Sequence, residues 1–142
     1  VGRNSATGAN VVWLMNGTSF VSTVALPSVT NLAWRIGSIG NADFNGDGKV
    51  DILWRNESTG ANVVWLMNGT SFVSTVTLPT VTNLDWQIRA TGDLSSDGRP
   101  DILWRNESTG ANVAWLMNGT SFVSTVTLPT VTNLDWQMHG PR

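Results

Sequence analysis

The sequence lacks cysteine and tyrosine altogether and contains a single histidine. The absence of cysteine excludes disulfides and thiol catalysis, and it leaves the redox compartment open. Charged residues make up only 13 % of the 142, with a formal net charge of −2, so no basic surface indicates a nucleic-acid partner. No apolar run approaches the ~20 residues of a membrane-spanning helix. A hydrophobic content of 41 % is nevertheless too high for a disordered polar segment.

Internal repetition is what the sequence has in abundance. Residues 55–87 recur at 105–137 with one change, Val64 to Ala114. Residues 3–34 form a third, more divergent copy of the same unit. Because near-identical units must fold alike, the chain is expected to consist of repeated structural modules instead of one irregular domain.

The repeat period indicates which kind of module this is. Trp13 corresponds to Trp65, 52 residues later, and Trp65 corresponds to Trp115, 50 residues later. A period near 50 with strand-like content is typical of a β-propeller blade, and no helix-period pattern supports a helical solenoid.

Each full unit predicts four antiparallel strands. In the central copy they are expected at residues 51–56, 62–67, 70–76 and 86–91, separated by turn-forming clusters. Asn68-Gly69 is a strong hairpin signal because both residue types tolerate positive φ in a type I′ turn. Such a two-residue loop would pair Met67 with Thr70 and Trp65 with Phe72, which makes an aromatic cross-strand pair.

The sequence therefore predicts an all-β fold of four-stranded propeller blades, with about three blades in the chain. The expected divisions are a partial blade with strands B, C and D at 1–26, a full blade at 34–78, a second full blade at 86–128, and a lone strand A at 134–140. Propellers typically have ~4–8 blades. Two hypotheses follow: two chains close a six-bladed ring as a homo-oligomer, each completing the other's split blade, or the chain is part of a longer propeller.

Two loops carry a spaced set of oxygen ligands with the pattern D-x-[N/S]-x-D-G-x-x-D. Ca²⁺ takes six to eight oxygen ligands on a tightly curled backbone, and this spacing favours it. Positions 1, 3, 5 and 9 offer side-chain oxygens, and position 7 offers its backbone carbonyl. The predicted metal ligands are Asp43, Asn45, Asp47, Lys49 and Asp51 in the first loop and Asp93, Ser95, Asp97, Arg99 and Asp101 in the second. Ser95 is the weaker ligand of the two position-3 residues.

The nearest competing motif for these loops is an EF-hand. It needs Glu at position 12, where Trp54 and Trp104 stand, and it needs flanking helices where strands are predicted. The simplest alternative is a pair of Asp/Gly-rich turns without metal. Three carboxylates so close together would then repel one another and raise their pKa values.

Residues 41–54 and 91–104, which contain these loops followed by Ile-Leu-Trp, resemble FG-GAP/VCBS repeats, the blades of integrin-α-like β-propellers. The resemblance implies that each acidic loop joins strand A to strand B and holds Ca²⁺. It also implies a secreted or cell-surface binding or adhesion module, similar to calcium-binding propeller lectins. The tail, residues 138–142, replaces a third acidic loop and departs from the family pattern.

Catalytic residues are scarce, so we do not expect an enzyme. Six of the ten acids belong to the loops, and the single histidine, His139, is expected to be a surface residue. A carbohydrate-binding or adhesion module is predicted instead, with a purely structural assembly module as the alternative and a propeller enzyme as the remotest. Candidate glycan-binding residues are Arg55, Asn56, Glu57, Asp85, Trp86, Arg105, Asn106, Glu107, Asp135 and Trp136. Tryptophans on strands are more often packing residues than ligand contacts.

Overall fold

The computed structural model describes residues 1–38, 40 and 42–139, which form three antiparallel sheets. The all-β prediction is confirmed, because the described residues contain strands and no helix. Accordingly, none of them forms a helix long and apolar enough to cross a membrane. The strands are β1 (Gly2–Arg3), β2 (Asn10–Asn16), β3 (Ser19–Leu26), β4 (Trp34–Ser38), β5 (Ile52–Asn56), β6 (Asn62–Asn68), β7 (Ser71–Leu78), β8 (Trp86–Gly92), β9 (Asp101–Asn106), β10 (Asn112–Asn118) and β11 (Ser121–Leu128).

Each sheet follows the chain order, as expected for strands joined by short turns. β1, β2 and β3 form the three-stranded blade 1, β4 to β7 form blade 2, and β8 to β11 form blade 3. Valine, isoleucine and tryptophan suit these half-buried pleated positions. Blades 2 and 3 contain the four predicted strands, and the described residues do not close a ring. Of the residues assigned to the full blade at 34–78, Ile39 and Asn41 lie outside those the structure describes.

The predicted hairpin register is wrong. Asn68 pairs with Ser71, so the two loop residues are Gly69 and Thr70, one position later than predicted. Of these two, only Gly69 has a positive φ, of 63°, which fits a type II′ turn with glycine first instead of type I′. A bulge follows, and Trp65 pairs with Thr75.

The aromatic contact survives this shift in register. The rings of Trp65 and Phe72 lie 4.9 Å apart, edge to face, although the two residues are not directly opposite. The same geometry recurs between Trp115 and Phe122, at 5.0 Å. Long aromatic side chains reach diagonal neighbours in a sheet, so this contact does not depend on direct pairing.

Trp136–His139 form no strand, although strand A was predicted there, and Gly140 lies outside the described residues. A strand needs a neighbour to which it can hydrogen-bond. The predicted neighbour is β1 in the split blade, and the described pairings of β1 are with β2 alone. That pairing is not made among the described residues of the single chain, so the completed split blade stays a prediction.

The blades pack face to face through two apolar layers. Trp54 and Trp65 of blade 2 cluster with Leu26 and Val12 of blade 1. The opposite face of blade 2 repeats this arrangement against the tryptophans of blade 3, in a cluster that includes Leu53, Val64, Leu78, Trp104 and Trp115. Each internal junction thus joins an aliphatic face of one blade to a tryptophan face of the next.

An arginine also crosses each junction. The guanidinium carbon of Arg3 lies 5.1 Å from the ring centre of Trp54, and that of Arg55 lies 5.0 Å from the ring centre of Trp104. Such cation–π contacts stabilise by ~2 kcal/mol or more when desolvated. Repetition of the sequence therefore reproduces both the apolar and the charged part of the junction.

Candidate functional site

The two acidic loops occupy the same place in successive blades. Residues 43–51 lie between β4 and β5, and residues 93–101 run from the end of β8 into β9. Glycine at the sixth position has a positive φ of 81° in both loops, at Gly48 and Gly98. This backbone conformation curls the loop so that its amide groups turn toward the first carboxylate.

That first carboxylate organises each loop. Asp43 Oδ1 accepts hydrogen bonds from the backbone N–H groups of Gly46 and Asp47, and its Oδ2 accepts one from Gly48. In the second loop, Asp93 accepts from the amides of Asp97 and Gly98. A carboxylate has about four lone-pair sites, so these bonds leave acceptor capacity for a cation.

The ninth residue of each acidic loop is buried and connects the loop to the rest of its blade. Asp51 is fully buried; its Oδ1 accepts from the amide of Met67 on β6, and its Oδ2 accepts from the amide of Phe44, both at 2.9 Å. Asp101 accepts in the same way from Met117 and from the other end of its loop. The ninth residue therefore ties the loop to the hairpin of its own blade whether or not a metal binds.

The burial of Asp51 also raises the pKa of its carboxyl group. The desolvation of the charged form is the largest cause, and the nearby carboxylate of Asp47 adds to it, while hydrogen bonds from backbone amides oppose it. The spacing of the acids in the sequence predicted such a shift from mutual repulsion alone. In the structure, repulsion contributes less than burial does.

The predicted ligands carry the oxygen donors that suit a hard cation, but their side chains are not gathered around one point. Every proposed side-chain ligand offers oxygen, which is the donor that Ca²⁺ prefers. Among residues 1–38, 40 and 42–139, however, no three acidic or histidine side chains are gathered as a metal-holding group. Asp47 and Asp97 lie on the exposed part of the loops, and each accepts a hydrogen bond from the backbone amide two positions later.

The predicted ligand residues Arg55, Asn56, Arg105 and Asn106 do not reach the surface. Arg55 is 2 % exposed and donates to the carbonyls of Gly60, Val81 and Asn83 and to Asn62 Oδ1. Arg105 makes the equivalent bonds in blade 3. Both asparagines cap the following turn through their side-chain oxygens. These four residues hold the fold together instead of facing a ligand.

The acidic candidates remain near the surface. Glu57 forms an exposed ion pair with Arg35 at 3.4 Å, and Glu107 pairs with Arg89, whose Nε lies 2.9 Å from its carboxylate. Asp85 and Asp135 are exposed residues of the linkers, and each donates its backbone amide to an asparagine two positions earlier. They are accessible, but the structure does not gather them into one site.

The predicted tryptophans differ in their surroundings. Trp136 is 66 % exposed, whereas Trp86 is half-buried beside the blade 2–blade 3 junction. There Trp86 lines an apolar cleft of about 210 Å³ whose other lining residues are Val81, Trp104, Val113, Trp115 and Thr125. From the sequence, Trp104 and Trp115 were expected to be packing residues only. Sequence reasoning missed the cleft because it exists only once a blade is folded and its linker returns across it.

The comparison with known families agrees with this geometry. Residues 43–104 match the family model described as FG-GAP-like repeat, a span that begins at the first acidic loop and ends just after the second. This part of the chain is an FG-GAP-like repeat. Together with the antiparallel blades, the FG-GAP-like repeat makes the chain a β-propeller-type repeat module. No curated protein and no solved structure matches the chain.

Proposed function

We propose that this FG-GAP-like chain is a calcium-stabilised, non-catalytic binding module of the secreted or cell-surface type, with carbohydrate as its ligand. The observation that carries the calcium proposal is the duplicated loop. Two separate segments, residues 43–51 and 93–101, carry oxygen donors at the same spacing, and in each the first carboxylate accepts hydrogen bonds from the amides of the fifth and sixth residues. A bound Ca²⁺ would supply positive charge among carboxylates that otherwise repel one another.

The expected holders of the ion are the side chains at positions 1, 3 and 5, with the carbonyl of Lys49 or Arg99 at position 7. Asp51 and Asp101 contribute through their remaining lone pairs while keeping the loop attached to the blade. Because Asp47 receives only one backbone hydrogen bond, from Lys49, its substitution tests metal binding with little effect on the loop.

Calcium titration calorimetry on wild type should therefore find two sites. Each site stabilises the fold by about 2.7 kcal/mol at a free Ca²⁺ concentration of one hundred times its Kd. Asp47→Asn and Asp97→Asn should each remove one site, and the double variant should lose the calcium-dependent rise in Tm. Asp85→Asn is the matched control, because it removes the same charge from an exposed linker. Wild type that neither binds Ca²⁺ nor melts higher in its presence would contradict the proposal.

The inter-blade cleft supports carbohydrate as the ligand. It combines the side chains of Trp86, Trp104 and Trp115 with one polar residue, Thr125. Aromatic surface with a few polar groups suits a sugar ring, and 210 Å³ is below the ~300–1,000 Å³ of clefts for drug-sized ligands. The repeat places Trp34 at the equivalent position of the blade 1–blade 2 junction.

A glycan array probed with the 142-residue chain in calcium tests this ligand class. For a glycan that binds, Trp86→Leu should lower the number of sites measured by calorimetry, because Trp86 lines the cleft. Val73→Ala, a change at an exposed apolar residue that does not line the cleft, should leave the stoichiometry unchanged. An array without any bound glycan would favour the second candidate, a purely structural assembly module, which the exposed apolar faces at the two ends of the blade stack also support.

A further inference from the structure

The two outer faces of the blade stack differ from the inner ones in exposure, although their sequences are repeated. On blade 1, Trp13 is 63 % exposed and Met15 is 50 % exposed. The equivalent Trp65 and Met67 of blade 2 are 8 % and 2 % exposed, because blade 1 covers them. Blade 1 thus presents an uncovered tryptophan face, defined here by Trp13, Met15 and Phe20.

Blade 3 presents the opposite kind of face. An apolar groove of about 400 Å³ lies there, lined by Leu94, Leu103, Ala114, Leu116, Val126 and Leu128 among others. The equivalent residues of blade 2, such as Leu53 and Val64, are fully buried against the tryptophans of blade 3. We call this groove the aliphatic face of blade 3.

We propose that the tryptophan face of blade 1 docks on the aliphatic face of blade 3 of a second copy of this chain. The internal junctions are the precedent for this contact. Blade 1 with blade 2, and blade 2 with blade 3, already join an aliphatic face to a tryptophan face made of the same repeated residues. Contiguous apolar faces of this kind mark interaction sites when they are left uncovered.

The C-terminal segment defines the register of that contact. Met138 lies in the groove on blade 3, in the position that its equivalent, Ile88 of β8, takes against the aliphatic face of blade 2. The segment Trp136–His139 is therefore placed as the first strand of a following blade. In the described structure, β1 pairs with β2 alone, so its other edge is available.

The internal pairing of β8 with β9 transfers directly to this edge. Trp86 pairs with Asn106, Gln87 with Arg105 and Ile88 with Trp104. By repeat position, Trp136 pairs with Asn4 of the second copy, Gln137 with its Arg3, and Met138 with its Gly2. The backbone carbonyl of Asp135 would accept from the amide of Ser5, as that of Asp85 accepts from Glu107.

The contact is head to tail, so it must either close or continue. Two copies of the 142-residue chain together supply six blades, within the ~4–8 of a closed propeller. Closure buries both outer faces of each chain, and no apolar face is left to recruit a third copy. A closed two-chain ring is therefore the assembly proposed.

Sedimentation equilibrium tests the assembly directly. The chain should have twice its 15.3 kDa mass. Trp13→Asp and Leu128→Asp, one on each outer face, should each yield folded monomers, because neither residue belongs to an internal junction. Val73→Asp is the control: Val73 is 60 % exposed on blade 2, away from both outer faces, and this variant should remain dimeric. A wild-type monomer at all concentrations, a ladder of larger oligomers, or a dimer indifferent to both face variants would overturn the proposal.

Disulfide trapping tests the register. Because the chain has no native cysteine, only the introduced cysteines can form a disulfide. Directly opposed residues of antiparallel strands have Cα atoms ~4.5–5.5 Å apart, within the range that a disulfide spans. Gly2→Cys combined with Met138→Cys should give a covalent dimer on oxidation, and a mixture of the two single variants should give a singly linked pair. Gly2→Cys with Trp136→Cys, two residues out of register, should not cross-link. Equal trapping of both pairs would contradict the proposed register.

Discussion

At the scale of single residues, blades 2 and 3 each contain one buried arginine, Arg55 and Arg105. Arg55 receives no exposed role; its guanidinium joins the turn at Gly60 to the linker at Val81 and Asn83 and lies over Trp104. Burial lowers the pKa of this guanidinium, but the side chain stays charged because arginine cannot be deprotonated at ordinary pH. The hydrogen bonds of Arg55 therefore hold the turn and the linker in a fixed position relative to each other.

Replacing this arginine should therefore be costly. Arg55→Met keeps much of the apolar stem but leaves buried carbonyls without donors, and we expect the free energy of unfolding to fall by roughly 2–4 kcal/mol. Urea denaturation measures the change. Arg35→Met, which removes an exposed arginine from its ion pair with Glu57, should cost less than about 1 kcal/mol. Equal losses for the two variants would contradict the role assigned to Arg55.

At the scale of elements, a glycine in the turn between the second and third strands of a full blade lets the linker pass closely. Gly60 has a φ of 79°, and its carbonyl accepts from the amide of Val81. A Cβ at this position would lie 2.0 Å from the carbonyl oxygen of Val81. Gly110 repeats the arrangement in blade 3, where the corresponding distance to Val131 is also 2.0 Å. The absence of a side chain at these two glycines therefore allows the backbone of the turn to contact the backbone of the linker directly.

Gly60→Ala should consequently destabilise far more than Gly69→Ala. Both glycines have positive φ, so each substitution carries a backbone cost of about 1 kcal/mol or more. Only at Gly60 does the new methyl group collide with backbone, whereas nothing lies within 4 Å at Gly69. In a thermal denaturation, we expect Gly69→Ala to have a clearly higher Tm than Gly60→Ala. Comparable melting temperatures would mean that the linker moves aside freely.

At the scale of the whole molecule, the two internal junctions of the blade stack repeat one another, whereas the proposed junction with a second copy would differ from them. Arg3 and Arg55 each lie over a tryptophan of the following blade. Arg105 has the same repeat position, but Gly2 stands where the next tryptophan would be. The proposed junction between copies therefore lacks the cation–π contact that both internal junctions have.

Gly2→Trp should supply that contact. The backbone of Gly2 has no positive φ, and a Cβ there meets Val11 at an ordinary 3.5 Å. Because a closed two-chain ring contains this junction twice, two cation–π contributions of about 0.5–2 kcal/mol each lower the dissociation constant of the dimer by roughly 5- to 900-fold. Sedimentation velocity over a dilution series measures it. Gly2→Leu is the matched control for apolar burial; association strengthened equally by leucine would exclude an effect of the aromatic ring.

Much of this architecture could be predicted from the sequence. The period near 50 residues and the alternation of strand formers with turn clusters determine the all-β blades, because these are local signals repeated three times. The spacing of acids in residues 43–51 and 93–101 likewise identified the loops that the FG-GAP-like family model matches. The hairpin register failed because a bulge after Phe72 and the single positive φ at Gly69 together reset the pairing.

Only the tertiary structure decided what each repeated residue does. Arg55 and Asn56 look like surface ligands in the sequence, yet both are buried, and Arg55 is hydrogen-bonded to the returning linker. Trp13 and Trp65 have the same local sequence, but one is 63 % exposed and the other 8 %, since exposure depends on which blade lies opposite. Sequence alone determined the blade, through local pattern and period. Burial and the free faces were decided by contacts between residues far apart in the chain, which no local pattern encodes.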